Sequence, residues 1–289
     1  MSDIWPPEGE VALIEGMPEE EYHAHPALSA SGMKLLLRSP LHFKHAQTHR
    51  EKKKAWDVGT AIHTRVFGVG QECEVIPDEL LSGPYRSISS NAAKAHRDDI
   101  EDRGLICVKQ DDYDQIVGAA DAVLSHPEAS ALLALDGYSE VSLFALDPET
   151  GVPLRGRLDR LAGGLILDLK TTTDVRPDKL RKVIQEFGYD VSAEVYRLLV
   201  RLVLGIEPEP MTLIFVEKEA PFEVRVVRLG PGFQETGRAR MREAIELFQS
   251  CVEFDVWPGA DGAEGSALEL EPTGWFLADV ARLIGGVVI

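Results

Sequence analysis

The sequence lacks an apolar run of about 18 residues, the length that would predict a transmembrane helix. Its first residues, MSDIWPPEGE, also lack the basic and apolar regions of a signal peptide. The cysteines are few and widely spaced, at Cys73, Cys107 and Cys251, so neither a disulfide framework nor a zinc or iron–sulfur motif is present. We therefore expect a cytoplasmic protein with no membrane partner.

Positive charge is also scarce. The chain has 30 Lys and Arg against 48 Asp and Glu, and the net charge of −18 argues against non-specific nucleic-acid binding by the chain as a whole. The basic residues are concentrated, however: seven lie between Lys34 and Lys54 beside one acid, and eight lie between Pro153 and Lys182 beside four acids. This distribution is compatible with a basic groove on an acidic body, although composition alone favours scattered surface charge.

The length of 289 residues allows one large domain or two small ones, and an apolar fraction of 44% can form a sizeable core. No internal repeat or clear linker is visible. We therefore predict an irregular N-terminal arm over residues 1–27 and one domain over 28–289. Within that domain we expect a helical part over 28–135, a sheet core over 136–230, and a C-terminal helix and tail over 231–289.

The stretch LRGRLDRLAGGLILDLKT, residues 154–171, predicts a β-hairpin. Both halves alternate with period two, and Gly163-Gly164 between them is a hairpin-turn signal. A two-residue turn places Asp159 opposite Asp168, and Arg157 opposite Lys170. Facing side chains have Cβ atoms roughly 4.5–5.5 Å apart, so two carboxylates there repel unless a cation lies between them. The hairpin therefore predicts a divalent-metal site with a lysine beside it.

A third strand, residues 138–146, extends this arrangement. The turn cluster DPETG follows it, and pairing of Asp147 with Val152 would place Glu140 opposite Asp159. A slip of one residue would break this register. The predicted row of carboxylates is Glu140, Asp159 and Asp168, and the next row is Ser142, Arg157 and Lys170.

Metal-dependent nucleases use an aspartate about nine residues before an Asp-x-Lys sequence. Here Asp159 precedes Asp168-Leu169-Lys170 by that spacing. Carboxylate oxygens suit Mg²⁺ or Mn²⁺, which polarises a phosphodiester and lowers the pKa of bound water. A lysine on the same strand face could orient that water or stabilise developing charge. Alone the pattern is a weak signal, since any surface hairpin can contain it.

Several motifs in order along the chain resemble those of RecE-type exonucleases (exodeoxyribonuclease VIII-like). These belong to the PD-(D/E)XK nuclease superfamily and are related to RecB-type and lambda-exonuclease nuclease domains. The motifs are the N-terminal segment 22–44, GTAIH at 59–63, GRLDRL with ILDLKTT, YDVSAEVY at 189–196, and WPG near the C-terminus. The resemblance implies an α/β (α+β) fold with a restriction-endonuclease-like core, in which helices flank a central mixed sheet.

The resemblance also implies roles for individual residues. His63, Asp159 and Asp168 would hold the metal, together with the backbone carbonyl of Leu169. Lys170 would position the attacking water. The remaining assignments are Tyr196 as a DNA-backbone contact or a brace of the site, and Glu140 as a further ligand or a water-mediated contact.

Three positions are less well defined by the motifs. Ser192 stands where the family usually has glutamine, and serine is too short to reach a phosphate or a metal-bound water, so its role is open. Arg157 and Arg160 flank the expected metal site and are sensible phosphate clamps, although they could equally be ordinary strand-surface charges.

The activity that the resemblance implies is Mg²⁺-dependent degradation of linear double-stranded DNA, with Mn²⁺ as a possible substitute. Degradation would run from the ends, 5′ to 3′, and leave 3′ single-stranded overhangs for homologous recombination and repair. The implied partners are a single-strand-annealing recombinase of the RecT or beta type and further copies of the chain in a ring around the duplex. The setting would be a bacterial cytoplasm, with a bacterial or phage gene.

Three other interpretations stay open on the sequence. One is a related nuclease with another polarity or a single-strand preference, as in Cas4-like proteins, although four clustered cysteines are absent here. Another is a catalytically inactive relative that binds DNA or a partner, against which the intact set of His63, Asp159, Asp168 and Lys170 argues. The third is a structural hairpin without metal, whose carboxylates are simply solvated.

Overall fold

A computed structural model describes residues 11–49, 58–261 and 267–283. The basic cluster Lys52–Lys54 lies outside these residues. The strands are β1 (Ala12–Ile14), β2 (Leu28–Ser29), β3 (Cys73–Val75), β4 (Ile106–Val108), β5 (Tyr138–Leu146), β6 (Pro153–Ala162), β7 (Leu165–Thr172), β8 (Thr212–Glu217) and β9 (Val224–Arg228).

Helices precede, connect and follow these strands. They are α1 (Glu19–Ala24), α2 (Ala30–Arg38), α3 (Pro40–Thr48), α4 (Val58–Phe67), α5 (Asn91–Asp102), α6 (Gln110–Ser125), α7 (Pro127–Leu133), α8 (Pro177–Glu186), α9 (Tyr189–Leu204), α10 (Pro231–Phe254) and α11 (Gly274–Leu283). None of the helices within the described residues is long and apolar enough to cross a membrane.

The main sheet is mixed. Its order is β1-β5-β6-β7-β8-β9, with β2 beside β6, and the separate pair β3-β4 is parallel. Strands β7 and β8 are parallel because α8 and α9 connect them, whereas β5-β6, β6-β7 and β8-β9 are antiparallel. The mixed sheet and its flanking helices confirm the predicted fold class.

Helices cover both faces of the sheet. On one face, α2, α9 and α10 bury a large apolar cluster against the sheet, and on the other face α4, α6 and α7 bury a second cluster. The register of β7 with β8 places Asp168 beside Leu213 and Lys170 beside Phe215, and both partners belong to the first cluster. The side chains of Asp168 and Lys170 therefore lie on the α2–α9 side of the sheet.

The predicted hairpin forms around Gly163 and Gly164, and its register is the expected one. The paired residues are Arg160–Leu167, Leu161–Ile166 and Ala162–Leu165. Pairing ends at Arg160–Leu167, so the expectation that Asp159 pairs with Asp168, and Arg157 with Lys170, is wrong. The earlier part of β6 pairs instead with β2, at Leu154 and Arg155. We use the term fork for the region where β6 separates from β7, which contains Asp159 on β6 and Asp168 on β7.

The register predicted between β5 and β6 is also present. Ser142 pairs with Arg157, and the backbone N–H of Asp147 donates to the carbonyl of Val152 at 2.9 Å. The ladder is interrupted only where Glu140 and Asp159 would meet, while the pairs on both sides keep the same register. Glu140 has a φ of 50°, which is uncommon for a residue other than glycine and recurs at functional sites.

Part of the segment expected to be an irregular arm is regular. Strand β1 pairs antiparallel with β5, and Tyr22 of α1 is buried. The guanidinium of Arg155 donates to the backbone carbonyls of Tyr22 and Ala27, which fixes the segment on the sheet. The prediction of irregular structure over 1–27 is therefore wrong for β1 and α1. The remaining domain boundaries stay predictions.

Candidate functional site

His63 joins two carboxylates at the fork. Ala61 and Ile62 are buried and pack α4 against α6 and the sheet, which turns the adjacent His63 toward β6. Its Nε2 lies 2.6 Å from Oδ2 of Asp159, and its Nδ1 lies 3.2 Å from Oε1 of Glu140. The helix motif and two strands that were separate in the sequence therefore meet through one imidazole ring.

The charges of this group are mutually dependent. Burial alone would lower the pKa of His63, but the carboxylates of Asp159 and Glu140 raise it to about 10. Burial alone would raise the pKa of Asp159, but the charges of His63 and Lys170 and the N–H of Leu169, which donates to Oδ2 at 2.8 Å, lower it. The imidazolium thus supplies the positive charge that the paired carboxylates require.

The donor set fits a divalent cation. One ligand atom each from His63, Glu140 and Asp159 lie within 4.8 Å of one another. A ring nitrogen can bind one cation, so a cation between Nε2 and Asp159 would leave Glu140 as the hydrogen-bond partner of Nδ1. Metal-binding histidines commonly have such a carboxylate partner, which fixes the ring orientation. Carboxylate oxygens favour Mg²⁺ or Mn²⁺, whereas an imidazole nitrogen also suits softer metals such as Zn²⁺.

Asp168 and Lys170 form the second part of the site, on the other side of the fork. Their ion pair measures 2.5 Å between Nζ and Oδ2, and Nζ also donates to the Leu169 carbonyl at 3.3 Å. Asp168 is 4% exposed, so its carboxylate lies buried beside the Lys170 ammonium group. Asp168 and Leu169 lie outside the three-residue cluster, so their roles as ligands stay predictions.

Burial and the negative charge of Asp159 raise the pKa of Asp168, against the opposing charge of Lys170. Burial by itself would lower the pKa of Lys170, but the charges of Asp168 and Asp159 outweigh it, so the pKa lies above its usual value. The two aspartates therefore compete for nearby positive charge, although they are not paired with each other in the β6–β7 ladder. A cation bound between them would relieve that competition.

Tyr196 of α9 packs on the same side of the sheet as Asp168 and Lys170. Its ring lies against β6 at Gly156, where an added Cβ would stand 2.9 Å from Cδ1 of Tyr196 and 2.8 Å from Cδ1 of Leu199. Burial raises the pKa of Tyr196 well above its ordinary value, and the charges of Asp168 and Asp159 raise it further. Tyr196 therefore keeps its hydroxyl proton beside the carboxylates. This position suits a brace of the site, and a DNA contact stays a prediction.

Ser192, one helical turn before Tyr196, is 7% exposed. Among the described residues no hydrogen bond joins its hydroxyl to the carboxylates of the site. The role of Ser192 in place of the usual glutamine therefore stays open.

The two arginines proposed as phosphate clamps have partners within the chain. Arg157 donates to Ser142 Oγ at 3.1 Å and to the Met17 carbonyl at 2.7 Å. Arg160 donates to Ser139 Oγ at 2.9 Å and to backbone carbonyls just before β5. Both arginines thus hold neighbouring segments on the sheet, and a contact with DNA stays a prediction.

Three residues near the site were not singled out from the sequence. Tyr22 lies beneath the guanidinium groups of Arg155 and Arg157, at 4.5 and 4.4 Å from its ring centroid. Lys34 of α2 places Nζ 5.5 Å from the ring centroid of Tyr189, and Lys170 places its own Nζ 5.4 Å from the same ring. The available sequence signal for these residues is that Tyr22 and Lys34 lie in the motif segment 22–44 and Tyr189 lies in the segment 189–196.

Comparisons with known proteins agree with this fold. The family described as a PDDEXK-like domain of unknown function (DUF3799) matches residues 29–266. A candidate exonuclease from Eubacterium rectale has a similar structure, with a TM-score of 0.57 and 13% identity, over 95% of this chain and 100% of that one. At this identity the similarity shows the fold alone.

A phage-related exonuclease from Haemophilus somnus matches 70% of this chain and 97% of its own, at 12% identity. Its TM-score of 0.30 is too low to support an argument. No curated protein matches the sequence.

Proposed function

Because this chain belongs to the PDDEXK-like domain family DUF3799, we propose that it is a metal-dependent nuclease that hydrolyses phosphodiester bonds in DNA. The observation that carries the proposal is the meeting of His63, Glu140 and Asp159 in the fork, with the Asp168–Lys170 ion pair beside them. A structural hairpin with solvated carboxylates has no need for a histidine between two partly buried acids.

Asp159 and His63 would hold the cation, with Glu140 fixing the imidazole and Asp168 completing the ligands from β7. A divalent cation bound there would polarise the phosphodiester and lower the pKa of water. Backbone pairing between β6 and β7 stops before Asp159 and Asp168. The opening lets His63, Glu140 and Asp159 on one side of the sheet interact with Asp168 on the other.

Lys170 would act on the reacting atoms directly. Its ammonium group is held by Asp168 and the Leu169 carbonyl, and three N–H donors allow a further hydrogen bond to an attacking water or a phosphate oxygen. Donors placed before the reaction stabilise the negative charge that develops on the phosphate oxygens. Tyr196 would keep α9 at a fixed distance from this group.

More specifically, we propose an exonuclease that degrades linear duplex DNA from its ends with Mg²⁺, for which Mn²⁺ substitutes. The 5′-to-3′ direction and the 3′ overhang follow from the resemblance to RecE-type enzymes. The name of the Eubacterium rectale protein, a candidate exonuclease, supports the same assignment. The annealing recombinase and the ring-shaped oligomer are further proposals on the same basis.

The test compares end-labelled linear duplex with closed circular duplex, each incubated with Mg²⁺ and with wild type or Asp168→Ala. We expect loss of linear DNA only, and none with the variant. Separate 5′ and 3′ labels report the direction, since the labelled end attacked first releases its label early. No degradation by wild type at any concentration of Mg²⁺ or Mn²⁺ would refute the proposal. Light scattering of the purified chain measures the oligomer.

A further inference from the structure

We propose that Lys34 and Tyr189 form a second phosphate subsite beside Lys170, which binds a DNA phosphate next to the one that is cleaved. This inference rests on the proposed nuclease function. The subsite is assembled by α2 and the start of α9, on the face of the sheet that carries Asp168 and Lys170. The two basic stretches of the sequence thus meet at Lys34 and Lys170.

Lys34 is held in place by its surroundings. Met33 and Leu36 are buried on both sides of it in sequence, and Ser29 caps the helix by accepting from the Gly32 N–H at 3.2 Å. The aliphatic part of Lys34 lies over Gly188, where an added Cβ would be 3.1 Å from the lysine Cδ. The ammonium group is therefore directed to the Tyr189 ring rather than into open solvent.

The Tyr189 ring is shared by two cations. The ammonium groups of Lys34 and Lys170 lie 5.5 and 5.4 Å from its centroid, within the range of cation–π attraction. This attraction is worth only about 0.5–2 kcal/mol for each cation. It positions both groups without neutralising either charge.

Lys34 has no anionic partner within the described part of the chain, where no ion pair or hydrogen bond of its ammonium group is found. By contrast, the nearby Arg240 pairs with Asp190 at 2.9 Å. Burial and the charge of Lys170 lower the pKa of Lys34 to about 8, against the opposing charges of Asp168 and Asp190. A partly buried cation without a partner is costly, and an entering anion would remove that cost.

A phosphate is the anion that matches this position. The proposed substrate carries one phosphate per nucleotide, and in the proposed reaction Lys170 would contact the phosphate that is cleaved. Hydrogen bonds from an ammonium group to a phosphate are charge-assisted and hence among the stronger ones. A lysine binds phosphate as a point charge, without base discrimination, so the subsite would serve any DNA sequence. The phosphate is either an internal diester or the terminal monoester of a cleaved end.

The test is steady-state kinetics on linear duplex in a salt series, with wild type, Lys34→Met, Lys34→Arg and the matched control Lys94→Met from the exposed face of α5. Methionine keeps an aliphatic stem on Gly188 and removes the charge. For Lys34→Met we expect KM to rise about tenfold at similar kcat, and the slope of log kcat/KM against log salt to fall by about 1. Lys34→Arg should retain most of the affinity, and Lys94→Met should match wild type.

Duplexes with 5′-phosphate and 5′-hydroxyl ends identify the source of the phosphate. A KM effect on both substrates indicates an internal diester, and an effect on the phosphorylated end alone indicates the terminal monoester. If Lys34→Met is too unstable to compare, Tyr189→Leu removes the ring platform and should also raise KM.

Unchanged KM and salt slope in these variants, with a fully active wild type, would overturn the subsite and leave the nuclease proposal in place. A fall in kcat without a change in KM would overturn it as well. A wild type that neither binds nor degrades DNA would remove both proposals together.

Discussion

Nε2 of His63 lies 2.6 Å from Oδ2 of Asp159, although 96 residues separate them in the sequence. The opposite edge of the ring meets Glu140, so one side chain satisfies two acids that face each other across an interrupted ladder. This contact makes the histidine both a candidate ligand and the positive partner of the two acids.

Replacing His63 by alanine should leave Asp159 and Glu140 without their positive partner. We expect the nuclease activity to fall about 100-fold or more, since loss of a ligand should cost no less than loss of an outer partner, which costs roughly 10–100-fold. Timed degradation of linear duplex at several Mg²⁺ concentrations measures this. Activity within twofold of wild type would show that the histidine is only structural.

Divalent cations should stabilise the folded chain. A ligand that binds only the native state adds about 2.7 kcal/mol at 100 times its Kd, which raises Tm. Thermal unfolding with Mg²⁺ or Mn²⁺, before and after EDTA, measures the shift. Asp159→Asn should abolish it because the amide cannot supply the ligand charge, and the exposed Asp98→Asn should leave it intact.

Glu140→Gln separates the two roles open to Glu140. If Glu140 orients the imidazole, the amide oxygen of glutamine can still accept from Nδ1–H, and activity should fall about tenfold, less than for Asp159→Asn. If Glu140 binds the cation directly, the losses in activity and in metal-dependent Tm should approach those of Asp159→Asn. Paired kinetics and unfolding curves of the two variants distinguish the roles.

Gly156→Ala should disturb the site through packing alone. The new Cβ would meet Tyr196 and Leu199 at under 3.0 Å, which forces α9 away from β6 at a cost of about 1–3 kcal/mol. Activity should fall with stability, because Tyr196 moves. The matched control is Gly164→Ala, whose Cβ would have contacts of 3.6 Å and longer. Urea unfolding that gives both variants equal stability would contradict this explanation.

The Asp147–Arg242 ion pair should make the free energy of unfolding depend on pH in the acid range. Burial would raise the pKa of Asp147, but Arg242, at 2.5 Å, and Thr150 lower it overall. Because the folded pKa is lower than the unfolded one, the contribution is complete above about pH 4 and is lost as pH falls through the folded pKa.

At pH 7, Asp147→Asn should lose about 3 kcal/mol, as for other broken buried ion pairs. The difference from wild type should shrink below pH 4. Chemical denaturation across pH 2.5–7, read at roughly half-unit steps, measures both effects. A difference that stays constant with pH would contradict the assignment.

The local parts of this site could be predicted from the sequence. Period-two alternation and Gly163-Gly164 define the hairpin, and the DPETG turn defines the register between β5 and β6. These signals are short-range, so they give the order of Glu140, Asp159 and Lys170 along their strands. They cannot show where a ladder stops.

The fork could not be predicted because distant segments produce it. β2 takes the place of β7 beside Leu154, and the imidazole of His63 and the Leu169 N–H both reach Asp159 at the gap. Strand β1 was not predicted because it has only three residues and forms by pairing with the distant β5. Lys34 was not singled out because its position depends on Tyr189, which lies in another helix.

Strand β6 pairs with β7 near the hairpin turn and with β2 at Leu154 and Arg155, and this arrangement has a consequence for folding during synthesis. The contact of Arg155 with the Ala27 carbonyl spans 128 residues, and such long-range closures form late because their loop entropy must be overcome first. The candidate site is thus complete only when the N-terminal segment, α4 and β7 have all packed onto the sheet. On the proposed nuclease function, a chain still emerging from the ribosome would lack an assembled site and would not yet cut nucleic acid.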